Sequence, residues 1–264
     1  MATEVLSTPT TNLMHLDEVK NHLRVTTTSE DVLIEYLLRA ATDKAEGFTK
    51  RGFLMRKYRK WMDNFTPFIE LGNNPLIKVN SIKYIDTAGV LQTLDSSLYK
   101  VDRYASKAII QPEYNKSWPT TRGFINDVQI TYQSGYMACV DIDHQTSLFT
   151  VVDNPFSDGD IVHLHGSDGN DKQLPTGLTE YTDYHVINTS GDTFQVSLTE
   201  GGSAVSIGGE GSGIFFVGFT HIPDPILQAI KLMITDWYYN RGNVNQVIPE
   251  ASYNLLMPYT LDVF

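Results

Sequence analysis

Seven histidines are the first place to look for chemistry in this 264-residue chain. His163 and His165 stand two apart, so on a β-strand their rings project from one face. With His144 or His185 they offer imidazole nitrogens of the kind that bind transition metals. No carboxylate or third ligand follows at a metal-site spacing, so solvated strand positions are the better reading. The glycines Gly201-Gly202 and the run from Gly208 to Gly213 hint at a phosphate cradle. They lack the Lys-Ser/Thr ending of a P-loop and lead into strand-like Ile214 to Val217 rather than a helix, which makes them turns. Asp153, Asp158, Asp160, Asp168 and Asp171 fit no EF-hand spacing and read as loop hydrogen-bond acceptors. Gly-x-Ser-x-Gly, His-Glu-x-x-His and Cys-His signatures are absent. The sequence therefore assigns no catalytic residue, no cofactor-binding residue and no metal ligand. The expectation is a protein that is not an enzyme and takes no cofactor.

One charge run stands apart. Lys50, Arg51, Arg56, Lys57, Arg59 and Lys60 are interleaved with Tyr58 and Trp61, a pattern whose sharpest meaning is nucleic-acid contact. In a strand, Arg56, Tyr58 and Lys60 share one face and Lys57, Arg59 and Trp61 the other. Charge on both faces suits an edge strand guarded against aggregation. The whole-chain balance favours that second meaning: 20 Lys and Arg against 31 Asp and Glu give a formal charge of −11, so repulsion from DNA is the default.

The elements that must position these residues follow from periodicity. Leu16, Val19 and Leu23 fall at helical spacing, and a second helix follows with Ser29 as its cap and Leu33, Tyr36, Leu37, Ala40, Ala41 and Phe48 along it. Short aromatic or β-branched runs come next, at Arg56 to Met62, Phe68 to Leu71, Ile77 to Asp86, Val90 to Leu94, Leu98 to Asp102 and Val128 to Tyr132. Thr87-Ala88-Gly89 reads as a hairpin tip, with Gly89 supplying positive φ. From Asp141 to Gly218 the composition turns to Gly, Ser, Thr and Asp around strand-sized runs at sandwich-like intervals, the mark of an inserted all-β module. Helical spacing returns at Asp224-Pro225, with Ile226, Ile230, Met233, Ile234 and Trp237 on one stripe and Gly242 as the stop.

The fold class expected is α+β: a small helical core of two N-terminal helices and a C-terminal helix, antiparallel β-hairpins, and the inserted module. Residues 1–140 and 219–264 would form a discontinuous core domain and 141–218 the insertion. A hydrophobic fraction of 41% excludes global disorder, and the single Cys139 excludes an internal disulfide. Met1 to Thr11 lacks the basic start and apolar core of a secretory signal, and runs such as Ile214 to Phe219 fall short of the roughly 20 residues of a membrane helix, so no membrane partner is expected.

Several strings, in order, resemble the head-to-tail adaptor (connector, or head completion) proteins of long-tailed bacteriophages. They are Leu16-Asp17-Glu18-Val19-Lys20-Asn21-His22-Leu23-Arg24-Val25, Ser81-Ile82-Lys83-Tyr84-Ile85-Asp86, Tyr99-Lys100-Val101-Asp102, and Ser117-Trp118-Pro119 with Arg122. Val128-Gln129-Ile130-Thr131-Tyr132 with Gly135-Tyr136, Trp237-Tyr238-Tyr239-Asn240-Arg241 and Leu255-Leu256-Met257-Pro258-Tyr259 complete the set. The chain departs from the family in holding roughly eighty residues between its Gly-Tyr and the proline of the last long helix. It also has His15 where relatives often carry a Ser or Thr cap, and Thr260 where a basic residue is common.

The resemblance implies a structural virion protein, made in the host cytoplasm. It would form a ring, typically of twelve copies, under the portal protein at the neck, extend the DNA channel and present a docking surface to a tail-side connector or tail terminator protein. DNA would pass through the lumen without specific binding. By the same analogy the C-terminal segment reaches the portal, through Tyr253, Leu255, Leu256, Met257, Tyr259, Leu261 and Phe264. A fold-back of that segment onto its own core is the competing expectation. The alternative function is a virion decoration or tail component whose β-module binds a glycan or another virion protein.

Overall fold

The structure is a computed structural model, and it describes residues 2–103, 105, 107–167, 174–241 and 247–261. The order is β1 (Ala2–Ser7), α1 (Leu16–Leu23), α2 (Asp31–Thr49), β2 (Arg56–Met62), β3 (Ile69–Glu70), β4 (Leu76–Ile85), β5 (Leu91–Thr93), β6 (Tyr99–Asp102), β7 (Ile109–Pro112) and β8 (Val128–Ser134). Then come β9 (Ala138–Asp143), β10 (Leu148–Thr150), β11 (Ile161–Ser167), β12 (Tyr184–Ser190), β13 (Thr193–Ser197), β14 (Ile214–Gly218), α3 (Asp224–Tyr239) and α4 (Glu250–Leu256). The α+β expectation holds.

Contacts divide the chain into two compact units: Met1–Pro9, Lys50–Tyr136 and Val263–Phe264 in one, Thr10–Thr49 and Met137–Asp262 in the other. The helices thus fall in one unit with the inserted β-module, whereas the sequence reading grouped them with the N-terminal β-stretch.

In the first unit an antiparallel sheet of order β1-β2-β8-β4-β5 faces a small one of order β3-β7-β6. Strand alternation sends Tyr58 and Met62 of β2, Val128, Ile130 and Tyr132 of β8 and Ile82 of β4 into a shared core with Ile69 and Ile110, all buried. Each such burial contributes about 1.5–3 kcal/mol. The opposite face carries the register rows Lys57↔Gln133, Arg59↔Thr131, Trp61↔Gln129 and Lys83↔Gln129. The edge-strand reading of the basic run is corrected here: β2 lies between β1 and β8, because the Thr-rich N-terminus is itself a strand. The hairpin at Asp86 to Val90 is as expected: Gly89 has φ 82°, and the Asp86 carboxylate accepts from the Ala88 and Val90 amides at 2.9 Å each. Gly135, at φ 139°, follows β8 where a Cβ would stand 2.6 Å from the Leu54 carbonyl oxygen, so only glycine lets the two backbones meet there.

In the second unit β9–β14 close into a barrel of order β10-β13-β12-β11-β14-β9. This corrects the sandwich-like expectation, and closure needed a strand at Ala138–Asp143 that begins before the expected boundary. Phe149, Phe194, Val162, Leu164, Val186 and Val196 fill the interior. Helices α1 and α3 pack through the stripes read from the sequence, Val19 and Leu23, then Ile226, Ile230, Met233 and Ile234, all buried. The α2 reading is corrected: its buried row is Ile34, Leu38, Ala41 and Ala45, one position past the expected Leu33 and Leu37, and of the expected residues only Ala41 is buried while Tyr36 and Ala40 are exposed. His15 does cap α1, its ring nitrogen accepting from the Asp17 amide at 3.3 Å. The last long helix begins one residue earlier than expected, with Pro223 at the cap position and no side-chain cap bond. Its expected stop at Gly242 lies outside the described residues, as do Asp168 and Asp171.

Candidate functional site

The C-terminal segment is positioned by α3 and α2. Ser252 of α4 donates to the Ala229 carbonyl at 3.0 Å, inside the packing between α4 and α3. Helical spacing then puts Leu256 on the same side, fully buried, while Tyr253 and Met257 lie on the outward side, 42% and 59% exposed. A single turn at Met257–Tyr259 lets the chain reverse, and the Leu261 amide donates to the Thr49 carbonyl at 2.9 Å. Leu261 is buried as a result.

The seven residues assigned from the sequence therefore divide. Leu256 and Leu261 belong to the unit's own core. Tyr253 and Met257 are exposed, Leu255 and Tyr259 half-buried, and Phe264 lies outside the described residues. Beside Tyr253 runs an open groove of about 560 Å³, lined by Asp43, Lys44, Gly47 and Phe48 of α2 and by Val247 and Ile248. The Tyr253 and Phe48 rings meet at 5.3 Å between centroids. Sequence reading missed this groove: Phe48 was assigned to the helical stripe, and nothing local shows that residue 253 returns to it.

The Trp237-to-Arg241 string does internal work. Tyr238 donates its hydroxyl to the Glu30 carboxylate, and Arg241 pairs with the same carboxylate at 2.6 Å while its guanidinium lies 4.7 Å from the Tyr238 ring centre. Those two hydrogen bonds hold the Glu30 carboxyl below its ordinary range. Trp237, expected in the core, is half-buried.

The histidines gain neighbours that spacing did not reveal. His163 and His165 project outward from β11, with the Asp183 carboxylate 3.5 Å from one and the Glu180 carboxylate 3.1 Å from the other. The His221 ring lies 4.8 Å from that of His163, tilted by 44°, and burial together with the two flanking imidazoles lowers its pKa. Among the described residues no group of three or more His, Cys, Asp or Glu is arranged to hold a metal ion. Nor is any described helix long and apolar enough to cross a membrane.

Residues 13–132, somewhat under half of the chain, match the family described as phage gp6-like head-tail connector protein. The resemblance read from the sequence is borne out there. No curated protein matches. Among solved structures, a chain of the "Virion of native gene transfer agent (GTA) particle" is similar in fold, with TM-score 0.58 and 15% identity, over 100% of this chain and 98% of its own. Chains of the "Neck of empty GTA particle computed with C6 symmetry" and the "Neck of native GTA particle computed with C12 symmetry" are similar with TM-score 0.55 and 14% identity each, at the same coverage. The barrel segment falls within these matches, so the long insertion has a counterpart in other chains of this fold.

Proposed function

We infer that this chain is a structural virion protein of the neck, a head-to-tail adaptor. The observation that carries the reading is the connector-family match over residues 13–132, and the likeness of the whole chain to neck chains supports it. The adaptor is a ring of identical copies, twelve in number, under the portal protein. It extends the DNA channel and meets a tail-side connector or tail terminator protein at its far end. Its task is structural and involves no reaction. A formal charge of −11 suits a conduit, since a wall that repels phosphate lets duplex slide rather than stick.

Contact with the portal is made by the outward side of the C-terminal segment, through Tyr253, Leu255, Met257 and Tyr259, with the groove beside Phe48 as the seat for a portal side chain. Aromatic and methionine side chains of this kind concentrate in interface cores. The barrel-forming segment is an insertion within the unit that holds the helices.

The test is cryo-electron microscopy of the purified protein mixed with portal assemblies from the same particle. Symmetric ring density added at the tail-facing end is the expected result. A bare portal beside free monomers would overturn the reading in favour of a decoration or tail component that acts through its barrel.

A further inference from the structure

Charge is divided unequally between the two compact units. The sheet unit carries 13 Lys and Arg against 8 Asp and Glu, a formal +5, and the helix-and-barrel unit 7 against 23, a formal −16. Residues 137–218 alone hold 12 acids and one lysine. On the sheet the cations gather on the face away from the core: Lys57 and Arg59 on β2, Lys78 and Lys83 on β4, beside the amides and hydroxyl of β8. Glu4 of β1 approaches Arg59 at 3.7 Å, and the face stays cationic. On the barrel, β9 alternates, with Val140 and Ile142 buried and Asp141 and Asp143 exposed on the outer wall.

We propose that the outer face of the five-stranded sheet docks on the acidic outer wall of the barrel of a second copy of this chain. The contact is the copy-to-copy interface of the neck ring, and in that respect it rests on the neck reading above. Sign and spacing both match. Lys57 and Arg59 repeat every second residue along β2 as Asp141 and Asp143 do along β9, about 6.4–6.8 Å apart in each case. A ring needs two different patches of one chain to meet head to tail, and these two units supply patches of opposite sign. Either patch set against itself would repel, which disfavours a two-fold contact made by one patch alone. Duplex DNA is the competing occupant. A cationic sheet left bare in a conduit would retain DNA by counterion release, whereas docking on carboxylates covers it.

The test compares wild type, Lys57→Glu with Lys83→Glu, Asp141→Lys with Asp143→Lys, and all four changes together. Self-association is followed by sedimentation at low and high salt, and ring addition to portal assemblies by electron microscopy. Wild-type association should weaken with salt, each paired reversal should lower it at least about tenfold, and the four-fold exchange should recover most of the loss. Where a reversal fails to fold by circular dichroism, Lys57→Gln with Lys83→Gln and Asp141→Asn with Asp143→Asn should lower association in the same direction by less. Association of the sheet reversal equal to wild type, or no recovery in the exchange, overturns the proposal. So does a sheet reversal that assembles normally but loses retention of duplex DNA. The two readings fail separately: salt-dependent, exchangeable self-association with bare portals sinks the neck reading and supports the interface, and portal rings indifferent to either reversal do the opposite.

Discussion

The five-stranded sheet and the six-stranded barrel answer the same need, pairing of backbone groups, in opposite ways. The barrel closes β9 onto both β10 and β14, so none of its six strands has an open side. The sheet ends at β1 and at β5, each with one side unpaired. Closure lets the barrel draw its stability chiefly from the inside, so the wall can carry acids two residues apart, Asp143 also accepting from the Gln145 amide and the Thr146 hydroxyl at 2.8 and 2.6 Å. The open sheet must instead be held by a second layer, the β3-β7-β6 sheet, and only its other face is at liberty to be polar. Acidic Gly-rich sequence is thus no sign of weakness when its apolar residues alternate around a closed ring.

That contrast can be broken in four ways, from the largest effect down. Phe194→Ala should cost about 3–5 kcal/mol, because the ring is fully buried in the barrel and stacked on Phe149 at 5.4 Å. Hydrogen exchange should show barrel amides losing protection while those of β8 keep theirs. Equal loss in both would mean that the units do not stand independently. Gly135→Ala should cost about 3 kcal/mol on the sheet side, through the clash with Leu54 and the positive φ. Its mark in the same experiment is the reverse pattern, with β8 amides exposed first.

The third is a pH effect. All seven histidines lie in the helix-and-barrel unit. His221 and His22 both have lowered pKa values, burial being the largest cause in each. Unfolded, they take up protons near their ordinary 6.5, and folded only at lower pH. Their proton uptake therefore favours the unfolded chain: stability is complete above 6.5 and declines as pH falls from there toward the folded values. Thermal melts should show this slope in the helix-and-barrel unit and a flat response of the sheet unit between about pH 5 and 8. His221→Gln should flatten the former. The smallest effect belongs to Asp86, whose carboxyl is held below its usual 3.8 chiefly by the Val90 amide and by Gln92. Its contribution is present above that value and lost as pH falls through the lowered one, so Asp86→Asn should soften acid unfolding of the sheet unit without moving its neutral melting point by more than Gly135→Ala does.

What the sequence made legible was local. The existence of α2, the stripe of α3, the Asp86 hairpin and most strand runs were visible because each signal lies within a dozen residues. The register of α2 was not, because apolar residues stand at both 33 and 34 and at both 37 and 38, and only tertiary packing chooses Ile34 and Leu38. Ala2–Ser7 was hidden because its partner β2 begins fifty residues later, and without β1 the basic strand looked like an edge. Ile109–Pro112 was passed over, being four residues of which one is proline. Closure of the barrel could not be told from a sandwich, since both need the same alternation. At the C-terminus, the assignment of Leu256 and Leu261 to an outward contact gave way to burial against elements far back in the chain, while Tyr253 and Met257 stayed outward because helical spacing alone separates the two sides.

The order in which the units occur along the chain bears on synthesis. Every strand of the sheet unit has been made by residue 134, while α1 and α2, made early, belong with α3 and α4, whose last residue is Leu256. On a ribosome the sheet can therefore close while two amphipathic helices wait, their apolar stripes without a partner, for more than a hundred further residues. A nascent chain that stalls within the barrel would leave the cell with a finished sheet and an unfinished helical core, the species most in need of a chaperone.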